Sequence, residues 1–550
     1  LPLILIKKDH SPSLSSLLLS FSPFDRVHYL VGMFLLYALL PLLSQSANVL
    51  FLPSSFFPSH SIPMQTLADN LISKGHSVSW IEMGPLKVPI QLNPSVHREH
   101  WEVSLDDPSL SHLLIHRNAS SYQPWTSSYE GETIPLSTWL ASIRVCHSVL
   151  SLHKNRFEGL LNQKFDTVIV EDQFNPCGLV YSSLIGAVFI YWSQSALRPE
   201  SAWAHHSPSP PSYIPVPGTK LTDTLDFYER SYNLFYYLRS LYIHQHIIQP
   251  RMDAMVERYF PLAVSSFSME RNASLNFINT PPIFDFPRPF MPRVVFVGCI
   301  HCRLPQSLPS DLESFISHSP FILVSFGFPS LLSSAPSSVV STLFNAFSSR
   351  PSIKFVVQYE GDRILPPNVI ARPFLPLQDL LGHSSCIAHI STGGLNSVIE
   401  SVWHGIPVIG LPLLFPSYDN LLRLSSRGAA IIVSKKSLSL HSLTHAIDEI
   451  QRKKFKDQVL IFQDMLRDVP YAELEHATFW VEFIERHHEI PHSRSGADQL
   501  TVIQYFLVDV FLFLLSSLYI ILYLSYLVLS GLLSLISSSV RPVSKKRKNE

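Results

Sequence analysis

Two adjacent glycines, Gly393 and Gly394, separate an apolar run from a stretch of helical spacing at 396–404. Glycine lets backbone approach a ligand closely. The free N–H groups and dipole of a following helix favour bound phosphate. The pair alone is a weak signal. Around it, residues 373–420 read PFLPLQDLLGHSSCIAHISTGGLNSVIESVWHGIPVIGLPLLFPSYDN. Short apolar runs, turns and helix starts alternate there, the layout of a nucleotide-phosphate site at the edge of a parallel sheet. Elsewhere, His60 falls between a first strand and a first helix, and Glu171-Asp172 closes another apolar strand. Cys299-Ile300-His301-Cys302 is a lone CxxC with no partner pair. It reads as a local disulfide or two free thiols rather than zinc, and no metal site is expected.

The elements that must position these residues form two repeats. Strand 48–52, helix 62–74 and strand 78–81 open the chain; strand 167–170, a helix after Pro176 and strand 187–191 follow. Residues 94–135 read as irregular, and 286–297 as a linker. Residues 225–256 read as a helical, aromatic-rich insertion around a hydrophobic pocket. The second repeat runs through strands near 322–325, 355–358, 369–370, 386–390, 407–411 and 430–433, with helices between. Alternating strands and helices with short loops argue α/β architecture: two Rossmann-like domains facing a cleft.

The ordered motifs LPxxDLLGH, GGxNSVxE, HGIPxxGxPL and xxDN resemble the signature of the UDP-glycosyltransferases, the UDP-glucuronosyltransferase family of membrane-bound animal type. Ser325-Phe326-Gly327, Pro211–Pro215 and residues 477–487 extend the match across 47–530. The resemblance implies the glycosyltransferase B fold. It also implies transfer of glucuronic acid or glucose from a UDP-sugar to a hydroxyl of a small lipophilic acceptor, with no cofactor beyond that co-substrate. His60 stands where the family has its base, and a histidine titrating near about 6.5 suits that work. Its carboxylate partner is Asp172, counted back from Pro176-Cys177, or Glu171, counted forward from Phe165-Asp166. Phe374 stands where an aromatic stacks on uracil, Asn396 where the phosphates are held, and Glu400 where the ribose hydroxyls are gripped. Ser325, Thr392, Gly393, Gly394, Ser397, Ser417, Asp419 and Asn420 complete the expected donor site.

Four positions depart from the family pattern. Thr392 replaces the histidine of the HGG turn, Phe328 a small hydroxyl residue, and Leu377 a glutamine. Pro416-Ser417 fills the place of an Asp-Gln pair that holds the sugar. Each lost hydrogen bond could cost about 1–3 kcal/mol. A catalytically weak or inactive relative, acting as a binding or heteromeric partner in the membrane, is therefore the alternative reading.

The remaining features concern the membrane. Only 15% of the residues are charged and 46% are hydrophobic, with a formal charge of -1, which gives no basic surface for nucleic acid. Residues 1–46 read as an ill-defined leader and a signal peptide ending at Ser44-Gln45-Ser46, with an N-terminal anchor as the competing reading. The acceptor domain is expected at 47–290, the donor domain at 291–470 and a helical return segment at 471–503. A transmembrane helix over 504–536 precedes a basic cytosolic tail, 537–550. Lys546 and Lys548 resemble an endoplasmic reticulum retrieval signal, although a basic stop-transfer cluster explains them equally. Sequons at Asn118 and Asn272 suit a luminal chain. Acceptor identity and homo- or hetero-oligomeric state are left open.

Overall fold

The computed structural model describes residues 46–539 apart from 55, 86, 104–124, 126–135, 262, 318, 328–330 and 414–416. Residues 1–45 of the leader and signal peptide, residues 540–550 of the basic tail, Asn118, Phe328 and Pro416 lie outside the described residues.

Two parallel sheets organise the chain. The first comprises β1 (Asn48–Leu52), β2 (Ser77–Gly84), β3 (His97–Glu102), β4 (Thr167–Glu171), β5 (Val188–Ser193), β6 (Leu275–Ile278) and β7 (Val294–Phe296). Their spatial order is β3-β2-β1-β4-β5-β6-β7. The second comprises β8 (Phe321–Ser325), β9 (Lys354–Gln358), β10 (Val369–Arg372), β11 (Cys386–Ser391), β12 (Val408–Gly410) and β13 (Ala430–Ile432). Its order, β10-β9-β8-β11-β12-β13, repeats the first pattern. The central strands are buried on both faces, which is why NVLFL and FILVS read as continuous apolar runs rather than alternating ones.

In each sheet the order reverses once, between β1 and β4 and between β8 and β11. Loops leaving such a pair turn to opposite faces and open a crevice at the carboxyl ends of the strands. His60 follows β1 and Glu171 ends β4; Ser325 ends β8 and the Gly393 turn follows β11. Every expected reactive residue near a strand end therefore sits at one of two reversal points.

Three expectations need correction. The expected irregular stretch contains β3, paired in register with β2 from Ser79–His97 to Gly84–Glu102. The expected linker contains β7, paired with β6, so the first sheet continues past residue 290. Strand edges of three to six residues with polar neighbours carry too little period to be seen. The apolar helix expected over 504–536 runs Val508–Ser539, because a short helix, Val502–Tyr505, ends first. Its 32 residues extend roughly 48 Å, more than the ~30 Å hydrocarbon core, and an 18-residue stretch within it has mean hydropathy 2.2.

The return segment contains helix Glu473–His487, which packs on helix Ser61–Ser73 of the first domain. Ala477, Val481 and Ile484 enter that domain's core, and Asn70 Nδ2 donates to Thr478 Oγ1 at 2.8 Å. Cys146 and Cys177 form a disulfide tying helix Leu136–Leu152 to helix Pro176–Ile185.

His389 is fully buried on β11, with Nε2 2.9 Å from Ser325 Oγ and Nδ1 2.8 Å from Ser401 Oγ. Burial pushes its pKa from 6.5 down to about 3. The unfolded chain therefore binds a proton that the folded chain refuses. The stabilisation is complete above pH 6.5 and is lost as pH falls toward 3. His389→Gln is expected to be less stable than the native chain at pH 7 by about 1–3 kcal/mol. The gap should shrink steadily in urea unfolding between pH 6.5 and 4, and a pH-independent gap would contradict this account.

Candidate active site

The turn Pro58–His60 leads into helix Ser61–Ser73 and holds His60 at the helix entrance. The imidazole stacks on Phe57, with ring centroids 5.1 Å apart. His60 Nδ1 lies 2.6 Å from Glu171 Oε1, and the second carboxylate oxygen accepts the Ser54 N–H at 2.9 Å. The carboxylate thus fixes both ring orientation and tautomer, leaving Nε2 as the ring nitrogen that can take a proton. Burial raises the Glu171 carboxyl above the ordinary range, opposed by His60 and by the Ser54 N–H.

Asp172 does not reach His60. Successive side chains of an extended strand point to opposite faces. Asp172 Oδ2 pairs with Arg198 Nη2 at 3.0 Å and with the Ser193 hydroxyl. Burial raises this carboxyl too, opposed chiefly by Arg198. Phe174, two residues on, adopts φ 56°, a left-handed conformation uncommon for a bulky residue. It absorbs the extra residue that made counting ambiguous. Phe174 packs against Trp139 and Phe57, with centroids 5.1 and 5.4 Å apart, so an aromatic wall adjoins His60. The expected insertion divides: Ile243, Ile248, Met252, Met255 and Val256 pack in the same cluster as Trp139 and Phe174, whereas the side chains of Phe227 and Tyr228 are exposed.

On the donor side, Gly393 has φ +89°, and a Cβ there would meet Ser417 O and Leu421 at 2.6 Å. Asn420 Nδ2 donates to Gly393 O at 3.0 Å. These contacts bring the start of helix Ser417–Ser425 against the turn that opens helix Leu395–Trp403. Gly394 caps the latter helix and is exposed, with open space around it. Ser397 is half-buried in its first turn. Phe374 is 80% exposed, free to offer a ring face to a ligand.

Several expected donor contacts are directed elsewhere. Ser325 is buried and bonded to His389, and the Thr392 hydroxyl donates to Phe326 O at 3.3 Å. Burial raises the Asp419 carboxyl, and it accepts the N–H of Gly218 from the other domain. Ser417 is buried, and Leu377 begins helix Leu377–Leu381 as a packing residue. Glu400 Oε1 lies 3.1 Å from His301 Nε2. His301 sits between Cys299 and Cys302, which are joined as a disulfide; the three donor atoms lie within 4.8 Å of one another. Asn272, of the second sequon, is exposed at a helix end.

Asn396 joins the two halves. Its Nδ2 donates to Ser59 O at 2.9 Å, and its Oδ1 accepts from Gln194 Nε2 at 2.5 Å. Gln194 Oε1 in turn accepts from Asn279 Nδ2 at 2.9 Å. A chain of three amides, each donating to the next, therefore runs across the cleft and ends at the peptide oxygen preceding His60. Gln194, Asn279 and Ser54 belong to no motif, and sequence reading missed them, while His301 was noticed only as part of the Cys299–Cys302 motif. Only their polarity at strand ends could have drawn attention.

Removing one partner of a buried ion pair costs about 3–5 kcal/mol. Asp172→Asn should lie near the lower end, about 3 kcal/mol, since Glu200 still holds Arg198 Nε at 2.8 Å. Glu171→Gln keeps an acceptor for Ser54 and a donor for His60, and should cost under about 1 kcal/mol. Thermal unfolding of the two variants reads this order directly.

Comparison with known proteins places these features in context. A family model described as UDP-glucoronosyl and UDP-glucosyl transferase matches residues 47–540. The chain is 29% identical over 489 residues to human UDP-glucuronosyltransferase 2B17, covering 85% of this chain and 90% of that one. It is 28% identical over 495 residues to mouse 2-hydroxyacylsphingosine 1-beta-galactosyltransferase, covering 88% of each. Among solved structures, the calicheamicin glycosyltransferase CalG4 superimposes with TM-score 0.55 at 15% identity, over 80% of this chain and 99% of that one. A UDP-glucosyltransferase from Polygonum tinctorium gives 0.54 at 17% identity with the same coverage.

Proposed function

The chain belongs to the UDP-glycosyltransferase family, and we propose that His60 and Glu171 are the base and its orienting carboxylate in hexosyl transfer to a lipophilic hydroxyl. The chain is a transferase of the glucuronosyltransferase-like kind that moves a hexosyl group from a UDP-sugar. The observation that carries the residue assignment is the His60–Glu171 contact of 2.6 Å, on a turn that Asn396 ties to the donor helix.

In this reading the acceptor binds beside the aromatic wall of Phe57, Trp139 and Phe174. Glu171 accepts the Nδ1 proton of His60, so Nε2 takes the acceptor's hydroxyl proton. The acceptor oxygen forms its bond to the anomeric carbon while the bond to the UDP oxygen breaks on the opposite face. Charge developing on the diphosphate meets the free N–H groups and positive dipole end of helix Leu395–Trp403. No residue needs a metal for this step. Phe374 stacks on uracil, and Glu400 receives the ribose hydroxyls beside His301. Because Ser325 and Thr392 are bonded within the protein, the backbone of residues 393–397 carries more of the phosphate recognition than side chains do. Glucuronic acid or glucose is the transferred hexose. The chain is anchored by Val508–Ser539 in the endoplasmic reticulum membrane, with both domains luminal.

Two measurements test the assignment. His60→Ala should abolish turnover yet leave calorimetric UDP binding within about twofold. Glu171→Gln places a donor against Nδ1, which puts the remaining proton on Nε2 and removes the base. It should fold normally and lose about 10²–10⁴ in kcat; wild-type turnover in either variant overturns the pair. Phe374→Ala should weaken UDP binding about tenfold, within the ~1–3 kcal/mol of base–aromatic stacking, with Tm unchanged. Absence of UDP binding by the folded native chain would favour the inactive-partner reading.

A further inference from the structure

Helix Phe227–Ile243 is inside out. A surface helix normally turns apolar residues to the core and polar ones to solvent. Here Asn233 and Ser240 are buried beside Ile243 at the helix end, whereas Phe227, Tyr228, Leu234, Phe235, Leu238 and Tyr242 are exposed. At 100° per residue these six fall within one sector of the helix, with Arg239 at its edge. Tyr228 is 81% exposed and Phe235 62%. The buried face is fastened by polar bonds: Val216 N–H donates to Asn233 Oδ1, and Asn233 Nδ2 donates to Pro211 O and Ile214 O. A capping box of Asp226 and Glu229 fixes the start of the helix. The apolar face is thus held outward by the domain. An exposed apolar patch of this kind marks an interaction site.

Position identifies the occupant. Helix Phe227–Ile243 packs beside helix Pro199–Ala204. Trp203 of that helix stacks on Phe506, with centroids 5.9 Å apart and planes 6° apart, and meets Tyr505 edge-on. Phe506 lies two residues before the membrane-spanning helix begins at Val508. Helix Phe227–Ile243 therefore belongs to the part of the domain that meets the segment entering the span. Its tyrosines and Arg239 are the side chains that settle where headgroups meet acyl chains.

We propose that the outward face of helix Phe227–Ile243 lies in the headgroup–acyl boundary of the same bilayer that Val508–Ser539 crosses. This second contact fixes the orientation of the acceptor domain against the lipid surface. It is independent of the catalytic reading and would hold for an inactive protein.

The full chain is reconstituted in phosphatidylcholine vesicles with a nitroxide at Phe235→Cys or, separately, at Leu238→Cys. Cys386 is buried and the other four cysteines are paired, so labelling is confined to the new thiol. Lys154→Cys, at a side chain 67% exposed on the same domain, is the aqueous reference. Collision with oxygen and with a water-soluble nickel chelate is read by paramagnetic resonance. The ratio of oxygen to nickel accessibility at 235 and 238 is expected to exceed that at 154 by about tenfold. A ratio equal to that at 154 means a face open to water and overturns the proposal. Low accessibility to both reagents with dipolar broadening means a second copy covers the face, which also overturns it.

Discussion

The structure depends on one topological constraint, met twice. Each sheet reverses its strand order between its first and fourth strands in sequence, β1 against β4 and β8 against β11. At each reversal, neighbouring loops turn away from one another and leave a crevice that no side chain has to be removed to create. One crevice receives His60 and Glu171, the other the Gly393 turn and the helix behind it. The site is built by facing one reversal point with the other.

Facing them requires contacts across the cleft, and these are mostly amides and backbone. Asn279, Gln194 and Asn396 hand hydrogen bonds on to Ser59 O, and Gly218 N–H reaches Asp419. Neutral amides suit this place. They fix geometry in a partly buried cleft without the desolvation cost that an ion pair would carry. A charged contact also joins the halves, Arg423 with Asp285 of the β6–β7 loop, whereas Arg198 with Asp172 stays within the first domain. The buried His389 has a supporting role between Ser325 and Ser401.

Much of this was legible from residues alone. Asn48–Leu52 was expected as a strand with the observed limits, because a strand buried on both faces leaves an uninterrupted apolar run. The helix after Gly393-Gly394 was expected because glycine pairs and apolar spacing of three and four are strong local signals. Strand β3 was missed because its edge position tolerates a polar run, and β7 because three apolar residues are too few to show a period. The aromatic insertion was recognised as helical and its second half packs in the core as expected, but its first helix turns its aromatic face outward. Periodicity states that a face exists and not which way the domain turns it.

The sequence by itself determined the two repeats, the glycine turn before helix Leu395–Trp403, the long apolar C-terminal helix and the family, because each is written in local pattern or ordered motif. Tertiary structure alone decided which carboxylate meets His60. Glu171 and Asp172 are adjacent and chemically alike, and only the pleat of β4 and the left-handed turn at Phe174 send one to the histidine and the other to Arg198. It alone decided that Ser325 and Thr392 spend their hydroxyls inside the protein, and that Gln194 grips Asn396. These contacts join residues 64 to 202 positions apart. Local pattern extends over a few turns of helix or one strand, whereas such partners are chosen by how sheets and domains pack.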